Sequence, residues 1–243
     1  MSETAESEDI KCTLESVVAR TIATASSLPS LEVAFAILST KDRNHYTFPA
    51  EEERLQSGRA CDKKTMQFRL GRAAARLALT DVGNEKPAPI LRGKAGEPLW
   101  PHAFTGSITH CDPWTVAVVA RSSSNLAIGI DLENVRRVQA IDISSLICCD
   151  DELKWVRGGC DFYGRLAMVF SAKEALYKAV YPFCGRYLDF KEVELSPFSE
   201  DGFCKAQFLT CLAKDLGTQS WMIHTRLQGD FVFSCVITEV TES

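Results

Sequence analysis

The chain has 243 residues, a formal net charge of −5, 46% hydrophobic residues and 24% charged residues. These proportions are typical of a globular protein with a sizeable core, arranged as one large domain or two small ones. The acidic balance argues against nucleic acid as the main partner, because proteins that bind duplexes usually carry a basic surface.

The N-terminal residues and the cysteines indicate the compartment. Residues Met1 to Asp9 are polar and acidic, whereas a signal peptide begins with basic residues followed by an apolar run. No stretch of the sequence is apolar over the length needed to cross a membrane. The ten cysteines include no C-x-x-C pair, so we expect reduced thiols instead of disulfides or zinc ligands. We therefore expect a cytoplasmic protein, monomeric and without a transmembrane segment.

The first elements in chain order are a tail, a strand and a helix. We expect residues 1–28 to form a partly disordered N-terminal tail with, at most, a weak helix from Ile10 to Ala25. Alternating apolar residues predict a strand from Leu31 to Leu38, and a strong helix is predicted from Asp62 to Thr80. The apolar stripe of that helix comprises Met66, Leu70, Ala73, Ala74 and Leu77.

Basic residues accompany this first half. Arg69, Arg72 and Arg76 form a stripe at positions i, i+3 and i+7 of the predicted helix. Taken alone, such a stripe is typical of a solvent-exposed helix edge. The segment from Arg92 to Pro98 is rich in glycine and basic residues, which predicts a turn with exposed backbone amides.

Strands and helices alternate in blocks through the rest of the chain. The predicted strands are Gly106–His110, Trp114–Ala120, Leu126–Leu132, Lys191–Leu195, Phe203–Ala213, Ser220–Arg226 and Phe231–Glu239. Helices are predicted from Ile143 to Val156 and from Asp161 to Tyr181, the second ended by Pro182. Ser122 to Asn125 is expected to join the second and third strands as a hairpin and to divide the chain into residues 29–123 and 124–243. Each half has helices followed by strands, which predicts an α+β fold.

Two carboxylates at the end of a predicted strand are candidate metal ligands. Asp131 and Glu133 lie at i and i+2, so their side chains share one face of the strand. Hard oxygen ligands of this kind suit Mg²⁺, which takes its remaining ligands from water and phosphate. Alone, the same pattern also occurs at solvent-facing strand ends.

The helix from Asp161 to Tyr181 carries an unusual charge. Lys173 lies near the middle of its apolar face, where a lysine is costly unless it is paired or its tip reaches water. Glu174 and Lys178 are i, i+4 neighbours on the flank of that face, an arrangement also found in ordinary surface ion pairs. A capping box at Ser171 is disfavoured because the apolar periodicity runs unbroken before it.

With these motifs in view, the chain resembles the Sfp/EntD superfamily of 4′-phosphopantetheinyl transferases, within it the EntD-like class that serves siderophore and polyketide assembly lines. Gly129 to Glu133 matches the pattern G-I-D-x-E, and Phe170 to Lys178 matches [WF]-[SC]-x-K-E-x-x-x-K. Three further segments resemble family motifs in the right order: Lys63 to Arg76, Pro89 to Pro98 and Gly106 to Cys111.

The resemblance implies a fold and a reaction. The family fold has two similar α/β subdomains related by a pseudo-twofold axis, with the active site between them. Its members move phosphopantetheine from coenzyme A to a serine of an apo acyl or peptidyl carrier protein and release 3′,5′-ADP. Asp131, Glu133 and Glu174 are then expected to hold Mg²⁺, which Mn²⁺ can replace. Glu174 is the expected base, Lys178 stabilises the leaving group, and Lys173 orients or pairs with the carboxylates.

The resemblance also implies a coenzyme A site. Thr109 and His110 are expected to contact the coenzyme A phosphates, with Lys64, Arg72 and Arg92 supplying positive charge. Lysines stand at 63 and 64 where the family often has arginine, and Thr109 replaces a serine. Two alternatives stay open: an inactive relative that only binds carrier proteins, and a different Mg²⁺-dependent phosphoesterase.

Overall fold

A computed structural model describes residues 3–24, 31–54, 63–122, 125–141, 143–210 and 212–240. The described chain divides into two compact units, and the mixture of helices with antiparallel sheets confirms the α+β fold. One unit lies within residues 30–124, and the other combines the N-terminal helix with the described residues from 125 onward. Among the described helices, none is both long and apolar enough to cross a membrane.

The unit within residues 30–124 is a small sheet covered by one long helix. Its elements are β1 (Val33–Ser39), α2 (Ala50–Arg54), α3 (Lys63–Asp81), β2 (Leu91–Arg92), β3 (Pro98–Leu99), β4 (Phe104–Cys111) and β5 (Trp114–Arg121), where α1 is the N-terminal helix described below. As far as the unit is described, its larger sheet is antiparallel in the order β1-β5-β4, and β2 pairs with β3. Helix α3 lies close to this sheet because Gly71 has no side chain: a Cβ there would lie 3.0 Å from Ile108 Cγ2.

Two details of this unit differ from the prediction. Strand β5 pairs with β1 and β4, so the predicted hairpin between β5 and the strand that begins at Leu126 does not form. The tight connection after Cys111 makes β4 and β5 the hairpin instead. Leu77, placed in the apolar stripe of α3, is 39% exposed, whereas Ala75 and Ala78 are buried. The predicted cap Asp62 lies outside the described residues.

The second unit is a larger sheet with a helix on each face. Its elements are α1 (Glu3–Thr24), β6 (Leu126–Asn134), α4 (Val135–Gln139), α5 (Ser144–Ile147), α6 (Asp150–Arg157), α7 (Phe162–Cys184), β7 (Val193–Leu195), β8 (Phe203–Phe208), α8 (Leu212–Asp215), β9 (Ser220–Gln228) and β10 (Phe231–Glu239). In the described part, the strands form one antiparallel sheet in the order β6-β10-β9-β8-β7. Val232 and Val236 of β10 belong to the core under α7, so the alternate residues of β10 face α1.

Helix α1 replaces much of the predicted tail. Ile10, Leu14 and Val17 are buried, and the helix packs against β9 and β10. Their spacing of i, i+4 and i+7 is that of a helix with one apolar face, although the polar first turns conceal it. The ring of His224 on β9 fastens this contact, since its Nδ1 lies 3.1 Å from the carbonyl oxygen of Val17.

Three further boundaries of the second unit differ from the prediction. The helix predicted from Ile143 to Val156 is divided into α5 and α6, because the Cys149 amide donates to Glu152 Oε2 and starts a new helix there. Helix α7 continues through Pro182 and ends where Gly185 adopts a φ of +64°. Strand β8 ends at Phe208, before the predicted Ala213.

Candidate active site

The predicted metal ligands lie where β6 meets α7 with almost no space between them. A Cβ on Gly129 would lie 1.8 Å from the carbonyl oxygen of Ala175 and 2.8 Å from the amide nitrogen of Ala179. Only glycine therefore allows the strand backbone to approach the helix backbone this closely. Asp131 and Glu133 follow at i+2 and i+4, so their side chains leave β6 on the same face as α7.

An ion pair joins the two elements at this point. Lys178 Nζ on α7 donates to Asp131 Oδ1 at 2.7 Å and to the carbonyl oxygen of Ile130 at 3.0 Å. The side chain of Asp131 is only 6% exposed, whereas that of Lys178 is 31% exposed. The ammonium group thus supplies a positive charge directly on a carboxylate that is largely removed from water.

Burial and the nearby charge of Asp131 raise the pKa values of Glu133 and Glu174. Burial, and next the charge of Asp131, raise the pKa of Glu133 to about 7. Burial also raises the pKa of Glu174, and Asp131 adds to this while Lys178 opposes it. Asp131 therefore acts electrostatically on both glutamates, and that the three carboxylates hold one metal ion together stays a prediction.

The donor chemistry of this neighbourhood fits a hard cation. Asp131 repels each of two partly buried glutamates, so a positive charge close to Asp131 is favourable. Within the described residues, no three histidine, cysteine, aspartate or glutamate side chains are close enough to hold a metal ion by themselves. Mg²⁺ usually keeps several water ligands and binds through one or two carboxylates, so a closed cage is not required.

Lys173 differs from its predicted role. Its Nζ is fully buried and donates to Glu152 Oε2 at 2.8 Å, so it pairs with a glutamate of α6 and not with the three carboxylates above. The reason is helical geometry: successive residues of α7 point about 100° apart, which turns Lys173 into the core when Glu174 lies on the flank. The sequence correctly indicates that this lysine needs a partner, but it does not identify which one.

The predicted basic residues lie on the other unit and have dissimilar surroundings. Arg72 is buried, and its Nε donates to the carbonyl oxygen of Ile90 at 2.9 Å. Burial lowers the pKa of Arg72 to about 10; Glu52 opposes this, and the positive charges of Arg92 and Arg76 add to it. The arginine stripe of α3 is therefore not a simple exposed edge, since Arg76 forms an ion pair with the fully buried Glu52.

The remaining basic and polar candidates differ in their exposure and in the face of the sheet to which they point. Lys64 and Arg92 are exposed, and the Arg92 guanidinium lies over Gly96, whose φ is +102°. On β4, Thr109 is buried and His110 is exposed. Because neighbouring residues of a strand point to opposite faces, the side chains of Thr109 and His110 do not share one side of the sheet. The structure thus brings Arg72 and Arg92 within electrostatic reach but separates the threonine from the histidine.

Two buried glutamates, Glu52 and Glu152, have no individual signal in the sequence. Glu52 accepts a hydrogen bond from the Ile90 amide at 3.0 Å as well as pairing with Arg76, and Glu152 pairs with Lys173. Each stands in a run of acidic residues at the start of a helix, where glutamate is common for reasons of helix stability. Nothing in such a run distinguishes the buried member from its exposed neighbours.

Comparison with known proteins identifies the family. Residues 50–120 match the 4′-phosphopantetheinyl transferase N-terminal domain, and residues 127–236 match the 4′-phosphopantetheinyl transferase superfamily. The transferase Svp of Streptomyces mobaraensis is 33% identical over 190 residues, which cover 76% of each chain. The chain belongs to the 4′-phosphopantetheinyl transferase superfamily. The resemblance stated from the motifs is confirmed, and the two matched segments lie one in each compact unit.

Other members of the superfamily are similar over shorter stretches. The transferase Npt of Nocardia iowensis is 35% identical over 154 residues, 63% of this chain and 68% of its own. Enterobactin synthase component D of Salmonella typhimurium is 32% identical over 149 residues, 60% of each chain. A solved structure of holo-[acyl-carrier-protein] synthase from Neisseria meningitidis is similar over 48% of this chain and 98% of its own, at 19% identity and a TM-score of 0.40.

Proposed function

We propose that this transferase moves the phosphopantetheine group of coenzyme A to a serine hydroxyl of an apo carrier protein. The serine oxygen forms a bond to the phosphorus that carries pantetheine, the pyrophosphate linkage of coenzyme A breaks, and 3′,5′-ADP leaves. The observation that carries the proposal is the group formed by Asp131, Glu133, Glu174 and Lys178 where β6 meets α7. Membership of the superfamily supports the same reaction.

Asp131, Glu133 and Glu174 are the residues that we propose to hold Mg²⁺, or Mn²⁺ in its place. When bound, the ion supplies positive charge that offsets the negative charge on the phosphate under attack. The protein's own contribution is the arrangement of the carboxylates: β6 presents two of them on one face, and α7 presents the third. The repulsion between Asp131 and each of the two glutamates favours a cation at this place.

Glu174 and Lys178 have complementary roles in the proposed reaction. The raised pKa of Glu174 makes its carboxylate a better proton acceptor than an exposed glutamate, so it suits the removal of the serine proton, directly or through water. Lys178 carries a fixed positive charge held by Asp131 and the Ile130 carbonyl. That charge stabilises the oxygen that becomes the leaving phosphate of 3′,5′-ADP.

We propose that the basic residues of the other unit bind the phosphates of coenzyme A. Arg92 and Lys64 are exposed and long enough to reach a ligand, and His110 is exposed at the end of β4. Arg72 is buried beside Arg92, and the repulsion between them is relieved by an anion. Thr109 belongs to the same proposed set, although it is buried and lies on the face of β4 opposite to His110.

The carrier protein and the setting belong to the same proposal. The acceptor is an apo carrier protein or carrier domain of siderophore, nonribosomal peptide, polyketide or fatty acid synthesis. The similarity to enterobactin synthase component D favours a siderophore or related assembly line. We propose that the protein works as a monomer in the cytoplasm.

A transfer assay tests the proposal directly. The protein is mixed with Mg²⁺, coenzyme A and several apo carrier proteins, and each carrier is weighed by intact mass spectrometry. We expect the mass of one phosphopantetheine group on the carrier serine, and no transfer without a divalent ion. If no carrier gains this mass, the chain is not an active transferase on them, and the binding-only alternative takes its place.

Variants of the carboxylates test the metal role. Asp131→Ala and Glu174→Ala should abolish transfer and weaken Mn²⁺ binding, measured by electron paramagnetic resonance, while circular dichroism stays unchanged. Asp151→Ala is the control, because Asp151 is exposed on α6 and pairs with exposed Lys154. Transfer at the wild-type rate by either site variant would contradict the assignment.

Variants of the basic residues test the coenzyme A site. Arg92→Ala should weaken coenzyme A binding in titration calorimetry more than it lowers the turnover rate. The reason is that Arg92 is exposed and is proposed to bind a phosphate, not to take part in the transfer step. The control is Arg157→Ala, an exposed arginine at the end of α6. Unchanged affinity in Arg92→Ala would remove this residue from the site.

A further inference from the structure

Lys173 and Glu152 form an ion pair that is closed off from water. The exposed fraction of the side chain is 0% for Lys173 and 1% for Glu152, and 2.8 Å separates Nζ from Oε2. Burying two charges is expensive unless further hydrogen bonds satisfy them, and such bonds are present on both partners. The pair is therefore a fully hydrogen-bonded part of the core and not an incidental surface contact.

The ammonium group of Lys173 gathers acceptors from three other places in the chain. Besides Glu152, Nζ donates to the carbonyl oxygens of Ile147 at 2.9 Å, Phe190 at 2.7 Å and Val193 at 2.9 Å. These carbonyls lie at the end of α5, in the 3₁₀ turn Phe190–Glu192 and at the start of β7. The middle of α7 is thus fastened to the segments before and after it.

The carboxylate of Glu152 extends the same connection. Its Oε1 accepts from the Leu195 amide of β7 at 2.7 Å, and its Oε2 accepts from the Cys149 amide at 2.6 Å as well as from Lys173. Both oxygens are therefore used, and α6 is fixed at its first turn. Within the described residues, the hydrogen bonds of Glu152 join it to Cys149, Lys173 and Leu195, so its route to Glu174 and Lys178 passes through Lys173 and α7.

Burial excludes Lys173 from direct chemistry. A fully enclosed ammonium group with four acceptors has no position left for a phosphate oxygen or a serine hydroxyl. The next residue of α7 is Glu174, and Lys178 lies little more than one turn further on. A rotation or sliding of α7 at Lys173 would move both of these groups relative to β6.

We propose that Glu152 is a positioning residue of the transferase. Through Lys173 it sets the rotation and height of α7 and so places Glu174 and Lys178 against Asp131. This inference rests on the proposed function, because it assigns Glu174 and Lys178 to the reaction. It keeps an orienting role for Lys173, exerted through α7 and not by pairing with the three carboxylates, and adds Glu152, which no sequence motif singled out.

The test compares two neighbouring carboxylates on the same helix. Glu152→Gln removes the charge that holds Lys173 but keeps the size of the side chain, and Asp151→Asn makes the same chemical change at an exposed site. The measurements are the transfer kcat, the KM for coenzyme A and the pH profile of kcat, all at a temperature where circular dichroism shows full folding. Misplacement of catalytic groups by about 1 Å costs on the order of 100-fold in rate.

For Glu152→Gln we expect kcat to fall about 10–100-fold with KM within about twofold of wild type, because the coenzyme A contacts proposed for Arg92, Lys64 and His110 lie in the other unit and are not changed. The pH profile should keep its shape, since no titrating catalytic group is lost. Asp151→Asn should match wild type in every measurement. A folded Glu152→Gln protein with wild-type kcat, or with a shifted pH profile, would overturn the inference.

A second variant covers the case in which Glu152→Gln does not fold. Glu152→Asp keeps the charge but withdraws it by one methylene, so it should fold and show a smaller fall in kcat with the same KM. Wild-type kcat in Glu152→Asp, together with unchanged hydrogen exchange across α7, would refute the positioning role. A wild-type protein that transfers nothing refutes the proposed function instead, so the two failures are distinguishable.

Discussion

The close contact between Gly129 and α7 makes a sharp prediction for Gly129→Ala. The added Cβ would lie 1.8 Å from the carbonyl oxygen of Ala175 and 2.8 Å from the amide nitrogen of Ala179. Both are backbone atoms, so no flexible side chain can move aside. To reach even a tight contact of 3.0 Å with the Ala175 oxygen, helix and strand must separate by about 1.2 Å.

The size of the effect follows from that separation. Overpacking of a well-filled core costs about 1–3 kcal/mol, and for a chain of this length about 2–4 °C of melting temperature is lost per kcal/mol. We therefore expect Gly129→Ala to melt about 2–12 °C below wild type by calorimetry. Because the same movement separates Glu174 and Lys178 from Asp131, transfer should slow on the order of 100-fold.

A second glycine of the same region provides the control. Gly185 ends α7 with a φ of +64°, and a Cβ there would meet no atom within 4 Å. Gly185→Ala should cost about 1–2 kcal/mol through backbone conformation alone and leave the transfer rate unchanged. The reasoning is refuted if Gly129→Ala melts and turns over like wild type, or if both variants lose activity equally.

Three further predictions concern stability. Leu14→Ala should lower the free energy of unfolding by about 2–5 kcal/mol in urea titration if α1 belongs to the core, whereas Glu15→Ala should not. The raised pKa of Glu133 implies that the metal-free protein loses stability as the pH rises from about 4.5 to about 7, because the unfolded chain releases this proton first. In EDTA, Glu133→Gln should therefore lose less free energy of unfolding over that pH range than wild type. Glu52→Gln should cost about 3 kcal/mol by leaving the partner charge poorly compensated, with Glu51→Gln as a neutral comparison; equal stabilities would contradict the buried pair.

Much of the carboxylate group was predictable because it depends on local periodicity. Asp131 and Glu133 share a face in any strand, and Glu174 and Lys178 share a flank in any helix of this phase. Both elements form as predicted, and Lys178 and Asp131 meet. The basic residues were harder, because their surroundings depend on distant segments: Arg72 donates to the Ile90 carbonyl and Arg76 pairs with Glu52. The pseudo-twofold relation and the position of the active site stay predictions.

Pairing between distant segments could not be predicted in the same way. The apolar spacing of Ile10, Leu14 and Val17 is visible in the sequence, but only the sheet that covers them shows that the first residues belong to a core. The hairpin partner predicted for β5 was wrong for a similar reason, since a short polar connection is compatible with pairing to β4 or to β6. Strand order depends on contacts across the whole unit.

The sequence by itself determined the family and the α+β class, because both rest on residue types at short and fixed spacing. It also predicted the strand and the helix that bring Asp131 and Lys178 together. Tertiary structure alone decided what Lys173 does. Its position on the apolar face demanded a partner, and the partner, Glu152, lies 21 residues away on a different helix. A buried charge must be matched wherever the fold brings an opposite charge, and sequence spacing carries no record of that choice.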